Sequence, residues 1–352
     1  MRVLIVNPGG IGDQILLLPT AILIKEKYPS CSIDLITEPR SSCIRDLTNL
    51  FSEVREYDFK GELELRKLFR TLRIKKYKYF ITTGFSYKAN LLTLLSDAEI
   101  KIGFYKGIFS NVFLTHPIKL NKDQYTTKMF AELTLPLSPE LKLKIQSEPL
   151  IPKIKIPQDS IDWVKELLAP KIRERLFSKK IVIHPGVSKL SIKKNILKNW
   201  PVKNWALLIE QLLEDTNNTI ILTGGNDDIE TIEEIYKKLP FLVKPKNLID
   251  LSQKTMTIDK LAALISISDL LVCVDSAPMH IGVGLGKKLV AFFGPTDPKK
   301  LLPYDKRFTA VHVTNLECRP CLFDKRKESC GNPQCLKVTP EMMLDAIRLK
   351  LT

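Results

Sequence analysis

Short unbroken runs of aliphatic and β-branched residues recur along the chain, each closed by Gly, Pro, Asp or another polar residue and followed by a stretch with helical spacing. In the first half the runs are Arg2–Val6, Ser32–Thr37, Tyr79–Thr83, Lys101–Phe104 and Val112–Thr115. In the second they are Lys180–His184, Thr219–Thr223, Leu248–Leu251, Leu270–Val274 and Leu289–Phe293. Runs that do not alternate with polar residues predict strands buried on both faces, as in a parallel sheet. Between them, apolar residues at Ile15, Leu16, Leu18, Ile22 and Leu23 predict a helix from Asp13 onward. Further helices are predicted over 160–177, Val202–Leu213, from Asp228, over Ile258–Ile267, from Ala277 and over Pro340–Leu349. Regular strand–helix alternation predicts an α/β fold of two Rossmann-like, doubly wound domains facing a cleft. The segment 148–157 spaces three prolines through extended chain and marks the seam. The expected domains are therefore 1–150 and 151–340, with a terminal helix over 341–352 docking back on the first domain.

Composition narrows the class of partner. The 352 residues are 44% hydrophobic and 26% charged, the balance of a globular chain. The longest apolar stretch, Ile15–Ile24, is broken by Pro19 and is too short to span a bilayer. Met1 runs straight into a strand, which predicts a cytoplasmic protein. Lys and Arg outnumber Asp and Glu by 54 to 39, a net charge of +15 that favours an anionic partner. No ribonucleoprotein motif or Cys/His finger is present, so a phosphorylated ligand or an acidic membrane surface is preferred to nucleic acid. Arg66, Lys67, Arg70, Arg73, Lys75 and Lys76 form a basic run expected to make an electropositive wall for an acidic acceptor, or for the inner-membrane surface that carries it.

Two strand ends carry the candidate chemistry. After the apolar run Leu270–Val274 come Asp275, Ser276, Ala277, Pro278 and, soon after, His280. Pro278 suits a first helical turn, whose amides have no intrahelical partner and so suit an anion such as a pyrophosphate. After the first strand, Asn7 to Gly12 make a turn and Asp13 opens a helix. Gly10 and Gly12 resemble the start of a dinucleotide fingerprint, but Ile15 stands where the third glycine belongs and Asp13 would repel a pyrophosphate. The helix dipole favours Asp13 as an anion, suited either to accepting a proton from a hydroxyl or to capping its helix.

Set in order, Gly12-Asp13, His184-Pro-Gly186, Lys198-Asn-Trp-Pro201, Gly224-Gly225, Asp275-Ser-Ala-Pro-Met-His280 and Phe293-Gly-Pro-Thr296 resemble family 9 of the glycosyltransferases, the heptosyltransferases of bacterial lipopolysaccharide assembly. The resemblance implies the GT-B architecture, an inverting and metal-independent transfer, an ADP-heptose donor held mainly by the second domain, and an anionic glycolipid acceptor. It implies donor contacts from Gly186, Gly224, Gly225 and, more loosely, Asp227, with Gly10 and Gly12 on the acceptor-side loop. The residue chemistry agrees. Displacing a nucleoside diphosphate requires a base for the acceptor hydroxyl, here Asp13, and a clamp for the departing charge, here Lys198 with the amides of Ser276 and Ala277. Asp275 and His280 are placed to contact sugar or phosphate. Lys189, Lys193 and Lys194 lie in the same loop as Lys198 and compete for the clamp role. The alternatives are a sugar-nucleotide epimerase of similar plan, a nicotinamide oxidoreductase, or a non-catalytic protein that binds sugar nucleotide or glycolipid.

Four of seven cysteines cluster as Cys318-x2-Cys321, Cys330 and Cys335. In a cytoplasmic protein that pattern predicts either a structural zinc site, not needed for transfer, or reduced and unbridged thiols. Cys31, Cys43 and Cys273 read as isolated small core residues.

Overall fold

The computed structural model describes residues 1–60, 72, 76–84, 86–105, 110–172, 178–193, 196–240, 245–254, 257–321 and 330–352. The chain divides into two compact units, Met1–Lys155 and Ile156–Thr352. The first holds β1 (Arg2–Asn7), β2 (Ser32–Thr37), β3 (Glu53–Glu56), β4 (Tyr79–Thr82), β5 (Ile100–Tyr105) and β6 (His116–Lys119). The second holds β7 (Lys179–His184), β8 (Asn218–Leu222), β9 (Leu248–Asp250), β10 (Leu270–Val274), β11 (Leu289–Phe292) and β12 (Phe308–Val311).

Each unit is one fully parallel six-stranded sheet. The orders are β3-β2-β1-β4-β5-β6 and β12-β11-β10-β7-β8-β9. Counted from its own first strand, each unit runs 3-2-1-4-5-6, the Rossmann order, so both are doubly wound. Strand order reverses between β1 and β4 in the first unit and between β7 and β10 in the second. In such sheets the crevice at that reversal, outside the strands' carboxyl ends, is where ligands bind. Asp13 follows β1 and Asp275 follows β10, so both candidate acids stand at a reversal point.

Why these strands lie at the centre is visible in their composition. Val3–Val6 of β1 and all five residues of β10 are fully buried, as a strand covered by helices on both faces requires. The edges are less apolar, and there the sequence expectation fails. Glu53–Glu56 and Phe308–Val311 are strands that no apolar run announced. The strand expected at Val112–Thr115 is displaced: Ser110–Phe113 forms one helical turn and the strand falls on the mostly exposed His116–Lys119.

The terminal helix spans Pro340–Leu351. Its apolar face, Met343, Leu344 and Ile347, joins the second unit's core with Trp200, Trp205 and Phe292. Trp200 donates its indole N–H to the Val338 carbonyl at 2.8 Å, which ties the helix entry to the loop preceding Val202–Leu213. Cys31 and Cys273 are buried, whereas Cys43 is only half-buried. Among the described residues no helix is long and apolar enough to cross a membrane. Of the basic run 66–76, only Lys76 lies within the described residues.

Candidate active site

In the second unit the strand end after β10 is a buried charge centre. Asp275 is 2% exposed, its backbone amide is held by the Phe292 carbonyl of β11, and its Oδ2 accepts two donors. Lys198 Nζ donates to it at 2.8 Å and Thr296 Oγ1 at 2.6 Å. Burial alone would raise the Asp275 carboxyl, but the Lys198 ammonium and the hydrogen bonds from Lys198 and Thr296 outweigh it, so the group sits below the usual carboxylate range. The Asp275 carboxylate is therefore ionised at neutral pH.

Lys198 reaches this position because its neighbour cannot move. Trp200 is fully buried, meets Trp205 edge-on at 4.9 Å and stacks on Phe292 at 6.0 Å. Lys189 and Lys193 ride on the short Lys189–Lys193 helix with exposed side chains. Among the described lysines of this loop, Lys198 is thus the one the fold brings to Asp275; Lys194 lies outside the described residues.

The helix Ala277–Gly284 starts directly above this pair, with Ser276 as extended N-cap and a proline in the first turn. Ser276 and Ala277 are half-buried, and first-turn amides have no intrahelical acceptor, so two donors and the positive end of the helix dipole stand beside the Lys198 ammonium. That combination suits a diphosphate.

His280 lies one turn along the same helix and is 6% exposed. Burial drives its imidazole down to about 4, against the pull of Asp275. It is therefore neutral at physiological pH, and its buried Nδ1 has no partner among the described residues. The depressed value carries a stability signature. Unfolded chains take up this proton near 6.5 while the folded state resists to about 4, so the stability is fully present above pH 6.5 and is lost as pH falls. The loss over that window is on the order of 3 kcal/mol. His280→Gln should flatten the slope of stability against pH between pH 6.5 and 4 by about one proton, measured by denaturant titration. An unchanged slope would refute it. His184, lowered by burial in the same direction, adds slope of the same sign.

His184, Gly186, Gly224 and Gly225 surround an acid the sequence reading passed over. Asp228 is 5% exposed, its Oδ2 accepts the Gly225 amide at 2.9 Å and stands 3.6 Å from His184 Nε2. A Cβ on Gly186 would fall 1.7 Å from Asp228 Oδ1, so this glycine is required by close approach of the carboxylate. A Cβ on Gly224 would meet Asp228 and Ile232 at 2.8 Å, whereas Gly225 faces open space. Asp227, expected as a nucleotide contact, is exposed and accepts the Lys189 backbone amide at 2.9 Å, a bond that ties two loops together. The signal for Asp228 was its place as N-cap of Ile229–Lys238. Thr296 was in view within Phe293–Thr296, but nothing local shows that its hydroxyl reaches residue 275.

In the first unit, Asp13 is the third residue of the helix Ile11–Lys27 and half-buried. Its Oδ2 accepts the Gly10 amide at 2.8 Å, so the third helical residue reaches back to the backbone of the N-cap, Gly10, while Gly12 lies in the first turn. Asn7 braces the same turn: its Oδ1 accepts the Gly9 amide at 3.1 Å and the Thr83 hydroxyl at 2.9 Å, and its Nδ2 donates to the Asp13 carbonyl at 3.2 Å. The carboxylate of Asp13 is therefore held in one orientation at the carboxyl end of β1. The cap and base readings of Asp13 are compatible, since the cap is what aims the group.

Among the described residues no group of three or more His, Cys, Asp or Glu side chains is gathered to hold a metal ion. Cys318 and Cys330 are exposed, Cys321 is intermediate and Cys335 is buried. Burial, reinforced by the other three thiols, pushes Cys335 up to about 11, and that influence shows the four sulfurs lie near one another.

Two Rossmann-ordered parallel sheets, with an oriented carboxylate ending one and a lysine–aspartate pair under helix amides ending the other, define a glycosyltransferase of the GT-B plan. Residues 65–331 match glycosyltransferase family 9 (heptosyltransferase), well over half of the chain, and the protein belongs to that family. It is 24% identical over 361 residues to lipooligosaccharide heptosyltransferase 2 of Haemophilus influenzae, covering 99% of this chain and 98% of that one. Its fold is similar to that of Escherichia coli ADP-heptose lps heptosyltransferase II, with a TM-score of 0.77 at 20% identity, covering 100% of this chain and 98% of that one. It is also similar to E. coli heptosyltransferase WaaC with ADP, with a TM-score of 0.69 at 18% identity, covering 99% of this chain and 100% of that one.

Proposed function

We propose that this enzyme transfers a heptose, or a closely related sugar, from an ADP-sugar to a hydroxyl of a lipopolysaccharide core-type acceptor, with inversion at the anomeric carbon and without a catalytic metal. The observation that carries the reading is the buried Lys198–Asp275 pair beneath the first-turn amides of Ser276 and Ala277. In a single displacement the acceptor oxygen bonds to the anomeric carbon as the bond to the diphosphate breaks. Asp13 takes the acceptor's proton, and the Lys198 ammonium and the amides take up the charge leaving with the diphosphate. An ammonium with helix-end amides supplies the positive field that a divalent cation supplies to other phosphates. Neutral His280 offers hydrogen bonding without adding charge. The family membership and the heptosyltransferases among its relatives support heptose and adenine. The net charge of +15 supports an anionic glycolipid, met at the inner face of the membrane from the cytoplasm.

A thermal-shift panel with adenosine, uridine, guanosine and cytidine diphosphates tests it. Adenosine diphosphate at about one hundred times its Kd should stabilise the protein by about 2.7 kcal/mol, and the other three much less. Stabilisation by the uridine or guanosine compound in place of the adenosine one would overturn the donor assignment.

A further inference from the structure

Three consecutive carbonyls of the loop after β11 all accept from one short segment some twenty residues later. Arg319 Nε donates to Gly294 at 2.7 Å, the Cys321 amide donates to Pro295 at 3.0 Å, and Arg319 Nη2 donates to Thr296 at 2.9 Å. The third arm of the guanidinium, Nη1, lies 2.8 Å from His312 Nδ1, just beyond β12. Arginine has no acceptor, so in that contact the imidazole nitrogen accepts; the same nitrogen also stands 3.2 Å from the Val313 carbonyl. The loop so gripped belongs to the candidate site on two sides. Thr296, 1% exposed, donates its hydroxyl to Asp275. Gly294 packs so closely that a Cβ would come 3.1 Å from the carbonyl oxygen of Leu197, the residue before Lys198.

A threonine hydroxyl holds a bond of 2.6 Å only while its backbone stays fixed, and backbone between a glycine and a proline has no regular ladder to fix it. The grip on Gly294, Pro295 and Thr296 replaces that ladder. Partial burial of the guanidinium, which lowers its affinity for its proton, is a cost that a solvated surface arginine does not bear.

We infer that Arg319 is a positioning residue for donor binding: it clamps Gly294 and Thr296 by their carbonyls, and through the Thr296 hydroxyl it holds Asp275, and hence Lys198, in place for the diphosphate. The guanidinium's rigid fork is what the task needs, because a lysine can reach one carbonyl but cannot bridge two and an imidazole at fixed angles. The inference rests on the reading of Lys198 and Asp275 as the donor clamp.

The test is titration of the full-length protein with ADP, and donor KM against kcat, for Arg319→Ala, Arg319→Lys, Thr296→Val and the double variant Arg319→Lys/Thr296→Val. ADP affinity should fall about tenfold in Arg319→Ala and about threefold in Arg319→Lys, the lysine restoring part of the grip. Donor KM should rise by similar factors, with kcat changed less. Because Arg319 acts through Thr296, the double variant should bind ADP within about twofold of Thr296→Val alone. Multiplying losses in the double variant, or wild-type ADP affinity in both Arg319 variants whatever their melting temperatures, would overturn the inference. Should Arg319→Ala fail to fold, Arg319→Lys and the cycle with Thr296→Val still decide. Lys198→Met separates the two levels: lost ADP affinity there with none lost at Arg319 sinks this inference alone, and unchanged affinity in Lys198→Met sinks the donor-site reading beneath it.

Discussion

Asp13→Asn is expected to lower turnover by about two to four orders of magnitude, the range a positioned general base supplies, while leaving ADP affinity within about twofold. Asparagine keeps the shape of the side chain and an oxygen that accepts the Gly10 amide, so the bond that closes the start of Ile11–Lys27 survives. What is lost is the ability to take a proton. The cost in stability should stay at about 1 kcal/mol or below, since a first-turn residue that still accepts the Gly10 amide loses only the charge interaction with the helix dipole. Asp13→Ala removes both functions and should lose that turnover together with about 1 kcal/mol of stability. Steady-state transfer assays beside ADP titration and denaturant melts separate these terms. Turnover near wild type in Asp13→Asn would leave Asp13 with a cap's role only.

How much of this was legible in the sequence follows from what each feature depends on. Central strands such as Val3–Val6 and Leu270–Val274 announce themselves, because a strand covered on both faces has no polar position to interrupt it. Edge strands do not: Glu53–Glu56 alternates charge with a single valine, and His116–Lys119 is mostly exposed, so burial left no mark on them. Asp13 and Asp275 were visible because both stand immediately after a central strand, where chain order alone puts them at a sheet's carboxyl end. Lys198 was placed by its distance from Trp200, a residue large enough to force its own burial. Thr296 and Arg319 were not assigned roles, since their contacts with residues 275 and 294 join separate loops and depend on how those loops pack. Between Asp227 and Asp228, one residue decided which acid turns inward, and a helix cap is known that finely only once the helix start is seen. The terminal helix was amphipathic in sequence, but amphipathicity names a buried face without naming what buries it.

Lys198→Met should produce the largest loss of stability among single changes at the donor site, about 3–5 kcal/mol, because it strands a carboxylate that is 2% exposed. In the wild type the Asp275 carboxyl is ionised in the folded state. Without the ammonium, burial dominates and the Asp275 carboxyl rises, leaving the Thr296 hydroxyl as its surviving side-chain donor of the two. That reverses a sign. In the wild type the Asp275 value is depressed, so its contribution to stability is present above the unfolded carboxylate range and is lost as pH falls through the folded value. In Lys198→Met the folded protein binds the proton more readily than the unfolded one, so this residue's contribution should grow as pH falls below the raised value. Lys198→Met/Asp275→Asn removes both charges, and Thr296 can still donate to the amide oxygen. It should therefore recover about half or more of the stability lost in the single variant, the coupling expected of a buried ion pair. ADP affinity should not recover with it. The diphosphate needs the ammonium itself, so both variants should bind ADP at least about tenfold more weakly than wild type, the loss of one charge-assisted contact. Stability that recovers while binding does not would place Lys198 in the binding of the nucleotide as well as in the packing of the loop. Recovery of both together would reduce it to a structural partner of Asp275.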